Sequence, residues 1–96
     1  KIGIEAVRAL IWRTAVMIDQ DQGSKKEQET MVCIAKCFAS DIALKATTDA
    51  VQILGAYGYM KDYPVERMMR DAKSTQIIDG TNQIQRVIIS RNILQP

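Results

Sequence analysis

Residues 24–55 read SKKEQETMVCIAKCFASDIALKATTDAVQILG. Ser24-Lys25-Lys26-Glu27 has the form of a capping box, in which the serine hydroxyl and the glutamate carboxylate each take an amide proton left unpaired at a helix start. Behind it, Met31, Ile34/Ala35, Phe38, Ile42, Ala46, Asp49/Ala50 and Ile53/Leu54 recur at helical spacing. No proline or glycine intervenes before Gly55, a natural C-terminal stop. A helix of about 30 residues is ~45 Å long. Such a helix crosses a whole domain and needs other helices alongside it, so the pattern predicts an all-α bundle.

The flanks agree. From Ile2 to about Gln20 the residues Ile4, Val7, Leu10/Ile11, Thr14/Ala15 and Ile18 form one stripe, which Gly23 ends. Downstream, Gly55 to Tyr63 reads as a glycine- and tyrosine-rich loop. Pro64 suits the first turn of a short helix to about Ala72, because its missing N–H is no loss there. Residues 73–80 read as irregular, and Thr81 or Asn82 can cap a last helix whose stripe is Ile84, Val87/Ile88, Arg91 and Leu94. Trp12, Phe38 and the methionines are expected in the core.

With 96 residues and 47% hydrophobic content, the chain makes one domain. Its 13 basic and 11 acidic residues are scattered and nearly balanced, which excludes the concentrated basic face that nucleic acid needs. No apolar run approaches the roughly 20 residues of a membrane helix. Histidine is absent, which removes Ser-His and Cys-His nucleophiles and most zinc sites, so no metal is expected. Cys33 and Cys37, four apart, read as small buried hydrophobes in a reducing compartment. The chain opens Lys1-Ile2-Gly3-Ile4 without an initiator methionine and already in helical register, so it reads as a fragment of something longer. A bundle short of its first helix leaves an apolar stripe uncovered, and self-association is expected.

The chemistry concentrates in Gln76-Ile77-Ile78-Asp79-Gly80-Thr81-Asn82-Gln83-Ile84-Gln85-Arg86. Asp-Gly-Thr is ordinary turn and cap chemistry. The same carboxylate, flanked by isoleucines and followed by a helix start, also suits removal of a proton α to a carbonyl, because a helix start offers N–H groups to a developing oxyanion. Spacing leaves both readings open. Glu66, Arg67, Arg70 and Asp71 read as an ion-pair network on the short helix rather than as a phosphate site. Tyr57, Tyr59 and Tyr63 fit loop packing or the edge of a bound ring.

Three ordered motifs carry a resemblance. The segment Asp49-Ala50-Val51-Gln52-Ile53-Leu54-Gly55-Ala56-Tyr57-Gly58-Tyr59, the stretch Tyr63-Pro64-Val65-Glu66-Arg67-Met68-Met69-Arg70-Asp71-Ala72-Lys73, and Asp79-Gly80-Thr81-Asn82-Gln83-Ile84-Gln85-Arg86 together resemble the C-terminal helical domain of the medium- and short-chain acyl-CoA dehydrogenases. Ile34-Ala35-Lys36 and Asp41-Ile42-Ala43 add to the match. The resemblance implies a helical bundle within an FAD flavoprotein that desaturates an acyl-CoA between its α and β carbons and passes electrons to an electron-transfer flavoprotein. It implies Asp79 as base, with its own N–H on the thioester carbonyl, and Gly80 as a substrate contact. It implies FAD contacts from Thr81, Asn82, Gln83 and Arg91, and from Gln52, Ile53, Leu54, Gly55 and Ala56 toward a neighbouring subunit's flavin in a dimer or tetramer. The cytoplasm of a bacterium or the mitochondrial matrix of a eukaryote is the compartment implied.

The departures are specific. The family's usual acid is glutamate, and aspartate reaches about 1–1.5 Å less. Ile78 stands where tyrosine is common, and Ala56 replaces the second glycine of a pair. Aspartate as base resembles the nitroalkane oxidases of the same superfamily, which gives a second enzymatic reading. A non-catalytic assembly module is the reading of another class.

Overall fold

The computed structural model describes residues 1–95, and the described residues contain helices and no strand. The helices are α1 (Ile2–Asp19), α2 (Lys25–Leu54), α3 (Ala56–Tyr59), α4 (Pro64–Thr75) and α5 (Asn82–Leu94). The capping box is formed: the Glu27 amide donates to Ser24 Oγ at 3.1 Å and the Ser24 amide donates to Glu27 Oε2 at 2.6 Å. In the α1–α2 turn, Lys25 and Gln28 donate to the Asp21 carboxylate, and these hydrogen bonds, Lys25 first, hold it below the usual aspartate range.

Helix α2 is a spine. It touches every other helix, whereas α1 touches α2 alone. Helix α1 runs antiparallel to it: a Cβ on Gly3 would lie 3.1 Å from Ile42 Cγ2, and Met17 reaches Gly23 at the opposite end. On another face α4 and α5 lie end to end. Gln76 meets Asp41, Asn92 meets Glu29 and Thr30, and the Lys26 ammonium reaches the Gln95 carbonyl. The loop between α4 and α5 therefore faces the middle of the spine. The molecule measures 50 × 23 × 17 Å, with a radius of gyration of 15.8 Å against about 13 Å for a compact chain of this length.

Several sequence expectations change. Residues 56–59 form one helical turn instead of loop, seated so closely on α2 that a Cβ on Gly58 would lie 2.7 Å from the Val51 carbonyl oxygen. Helix α4 continues to Thr75, which confines the irregular segment to residues 76–80. The stripe expected to bury α5 faces outward: Ile84, Val87 and Leu94 are exposed, while Asn82 and Gln85 are buried. The reason is on α2, whose facing surface carries Glu29, Thr30, Lys36, Ser40 and Asp41, groups that need polar partners when covered.

Trp12, expected in the core, is 66% exposed; Phe38, Met60 and Met68 are exposed as well. The buried apolar residues are small: Cys33, Ala35, Cys37 and Ala72. Both cysteines are thus buried and free, and burial, with Glu29 and Cys37 nearby, raises the Cys33 thiol. Of the expected network on α4, one pair forms among the described residues, Arg70 to Glu66 at 3.4 Å. Tyr57 and Tyr63 pack edge to face at 5.8 Å, loop packing of the kind expected.

Candidate active site

The loop from Gln76 to Thr81 is closed at its base, where the Asn82 amide donates to the Gln76 carbonyl at 3.0 Å. At its tip, two consecutive residues are left-handed, Asp79 at φ +55° and Gly80 at φ +82°. Aspartate tolerates that region better than most residues, and a non-glycine held there is a feature that recurs at functional sites. Gly80 suits its positive φ, and a Cβ there would lie 2.7 Å from Gln85 Nε2, so the end of the Gln85 side chain would have to shift.

Both carbonyls at the tip are held from within. Gln85 Nε2 donates to the Asp79 carbonyl at 3.1 Å and to the Gly80 carbonyl at 3.3 Å. Lys36 Nζ donates to the Gly80 carbonyl at 2.8 Å and to Asn82 Oδ1 at 2.7 Å. Among the described residues, the amide N–H groups of Asp79 and Gly80 have no acceptor.

Beneath the tip lies a buried polar junction. Asn82, 3% exposed, donates through Nδ2 to Ser40 Oγ at 2.8 Å and to Asp41 Oδ1 at 2.9 Å, and its carbonyl accepts from Cys37 Sγ at 3.5 Å. Asp41 also accepts from Gln76 Nε2 and from Arg86 Nη2, each at 2.9 Å. Asn82 thus spends its polar atoms inside the chain, while Gln83 beside it is exposed and Thr81 caps α5 by accepting from the Ile84 amide at 3.2 Å.

Asp79 lines a cleft of about 370 Å³ with Lys36, Ala39, Ser40, Ala43, Thr75 and Ile78. A second trough of about 360 Å³, walled by Ile11, Thr14, Ala15, Ile18, Val32 and Ala35, shares Lys36 and Ala39 with the first. Apolar walls therefore lead across α2 to a carboxylate. Ile77 and Ile78 do not enclose that carboxylate, as their sequence positions suggested; both are more than half exposed, and the apolar wall beside Asp79 is built by Ile78 and the alanines of α2.

The other expected cofactor contacts fall elsewhere. Gln52, Ile53, Leu54, Gly55 and Ala56 are exposed at the far end of α2. Gln52 lies 11 residues beyond Asp41, about 16 Å along the helix. Gly55 has φ +63° with open space where a Cβ would stand. Arg91 is exposed in the last turn of α5, about 15 Å from Thr81 along its axis. One chain does not bring these groups together at Asp79. Among the described residues there is no cluster of three metal-ligating side chains, and no helix is long and apolar enough to cross a membrane.

The family model for the acyl-CoA dehydrogenase C-terminal domain matches residues 1–94. The chain belongs to the acyl-CoA dehydrogenase family. It is 55% identical over 92 residues to a cyclohexane-1-carbonyl-CoA dehydrogenase of Geobacter metallireducens, covering 96% of this chain and 23% of that protein. Its fold superposes on butyryl-CoA dehydrogenase from Megasphaera elsdenii with a TM-score of 0.89 at 43% identity, over 99% of this chain and 24% of that one. A nitroalkane oxidase of Podospora anserina gives 0.94 at 32% identity, over 100% of this chain and 23% of that one. The all-helical architecture is thus that of the family's C-terminal domain, and the chain spans about a quarter of the length of these relatives. Lys36 and Gln85 were legible in the sequence only as parts of motifs, and Ser40 was not singled out.

Proposed function

We propose that this chain is the catalytic C-terminal part of a longer FAD-dependent acyl-CoA dehydrogenase, with Asp79 as the base that removes the α-proton of an acyl-CoA thioester. The observation that carries the reading is the loop tip. Gln85 draws in the Asp79 carbonyl, so the Gly80 N–H of that same trans peptide points the opposite way; it and the Asp79 N–H are both unpaired among the described residues, next to a carboxylate that lines an apolar cleft. An N–H that receives a thioester oxygen and a carboxylate that takes the neighbouring α-proton are the two groups enolisation needs. Gly80, lacking a side chain, lets the thioester come close to that backbone.

The residues present fit FAD. Thr81 and Gln83 stand at the start of α5, beside a polar hollow in which Arg86 is paired with Asp41 and the Lys73 ammonium supplies the positive charge, which suits a phosphate of the cofactor. Bound FAD supplies the acceptor for the β-hydride. Asn82 acts behind these contacts by fixing the helix start. The distance of Gln52–Ala56 from Asp79 supports contact with a second subunit's flavin, as does the exposure of Gly55. Arg91 would meet the cofactor from the outer side of α5. An electron-transfer flavoprotein is the proposed acceptor of electrons, in the bacterial cytoplasm or the mitochondrial matrix.

The likeness to a nitroalkane oxidase favours a second reading, in which Asp79 takes a proton from the carbon beside a nitro group. The test is anaerobic mixing of the full-length flavoprotein with straight-chain acyl-CoAs, cyclohexane-1-carbonyl-CoA and a nitroalkane. Flavin bleaching by a thioester, lost in Asp79→Asn, is expected. Bleaching by the nitroalkane alone would replace the first reading with the second, and bleaching by neither would leave the helices an assembly module.

A further inference from the structure

We propose that Lys36 and Gln85 are positioning residues for the base, a clamp that holds the left-handed Asp79–Gly80 turn by fixing the two peptide planes that flank Gly80, the first of which leaves Asp79. The inference rests on the reading of Asp79 given above. Two consecutive left-handed residues at a loop tip do not persist by backbone preference when one of them carries a side chain. Here the peptide planes are anchored from two helices: Gln85 of α5 holds both carbonyls, and Lys36 of α2 holds the second.

Lys36 is not an ordinary surface lysine. Its ammonium is spent on two uncharged oxygens, the Gly80 carbonyl and Asn82 Oδ1, and so ties the tip of the loop to the buried start of α5. Gln85 is buried, and a Cβ at residue 80 would lie 2.7 Å from its amide nitrogen, so a side chain there would displace the group that holds the two carbonyls. Gly80 and Gln85 are therefore a matched pair. Lys36 also lines the cleft that Asp79 enters, so the side chain that fixes the base borders the space where substrate would lie. A shorter acid makes such fixing more important, since aspartate has one fewer torsion with which to recover a misplaced carboxylate.

The experiment uses the full-length holoprotein with Lys36→Met, Lys36→Arg and Gln85→Met, and two independent readouts. One is cleavage before Asp79 by an Asp-specific endoproteinase, mapped by mass. In Lys36→Met and Gln85→Met it should accelerate about tenfold or more as the tip loosens. The other is anaerobic flavin reduction by acyl-CoA. Its rate should fall ~10–100-fold, the scale set by a misplacement of about 1 Å, while acyl-CoA affinity stays within about twofold. Lys36→Arg should restore most of both. Wild-type cleavage and reduction in Lys36→Met and Gln85→Met would overturn the clamp, as would parallel loss of affinity and rate that arginine does not rescue. If Lys36→Met does not fold, Gln85→Met and Lys36→Arg decide. A wild-type protein that reacts with no acyl-CoA, yet whose loop loosens in the variants, would remove the dehydrogenase reading and keep the clamp.

Discussion

Along the side of α2 that meets α1, contact is made by Gly3 on Ile42, by Ala35, and by Thr14, whose hydroxyl turns back to its own helix at Leu10. Along the side that meets α5, the seam is Cys37, Ser40 and Asp41 against Asn82, with Thr30 and Glu29 against Asn92. The first side is apolar and leaves Ile4, Ile11, Trp12 and Ile18 exposed. The second hides amides and exposes aliphatic residues. Apolar contact tolerates small sliding, whereas a hydrogen bond weakens steeply when its geometry is lost. The loop bearing Asp79 hangs from the directional side. The difference teaches that the end of the fold carrying the chemistry is held in register by polar groups, while the α1 side supplies walls.

Substitutions can break that contrast, beginning with its centre. Asn82→Ala takes one partner each from Ser40, Asp41 and Lys36 and opens a cavity at the buried start of α5, and should cost about 2–4 kcal/mol in urea unfolding, more than the shortening of any aliphatic residue on α5. Gly58→Ala pushes a methyl into the Val51 carbonyl at the far end of the spine and should cost ~1–3 kcal/mol, read as a lower thermal midpoint. Ser24→Ala removes half of the capping box for about 1 kcal/mol, measured the same way. Val87→Gln, on the outward face of α5, should change unfolding free energy by no more than about 0.5 kcal/mol and reduce self-association in light scattering. A large loss at Val87 beside a small one at Asn82 would invert the contrast.

What could be read from residue order follows from the same physics. The spine was legible because a capping box, thirty residues of helical spacing and a terminal glycine act locally. Pro64 and Thr81 marked helix starts for the same reason. The facing of α5 was not legible. Hydrophobic spacing picks an apolar side, but burial on this helix is decided by Ser40 and Asp41, some forty residues away. Trp12 was misassigned likewise, since a large aromatic predicts a core only where neighbouring helices enclose it, and α1 has one neighbour. At the site, Asp79 and Gly80 stood out as residue types. The hold of Lys36 and Gln85 on their carbonyls depends on loop geometry that no spacing encodes.

Removal of an α-proton by Asp79 is most directly measured as exchange of that proton with solvent deuterium, in a thioester the full-length flavoprotein binds without oxidising. Wild type should exchange it, and Asp79→Asn, with unaltered fold and flavin content, should slow exchange by about 10²–10⁴-fold, the scale of a lost general base. Equal exchange in the two proteins would contradict the assignment of Asp79 as the base.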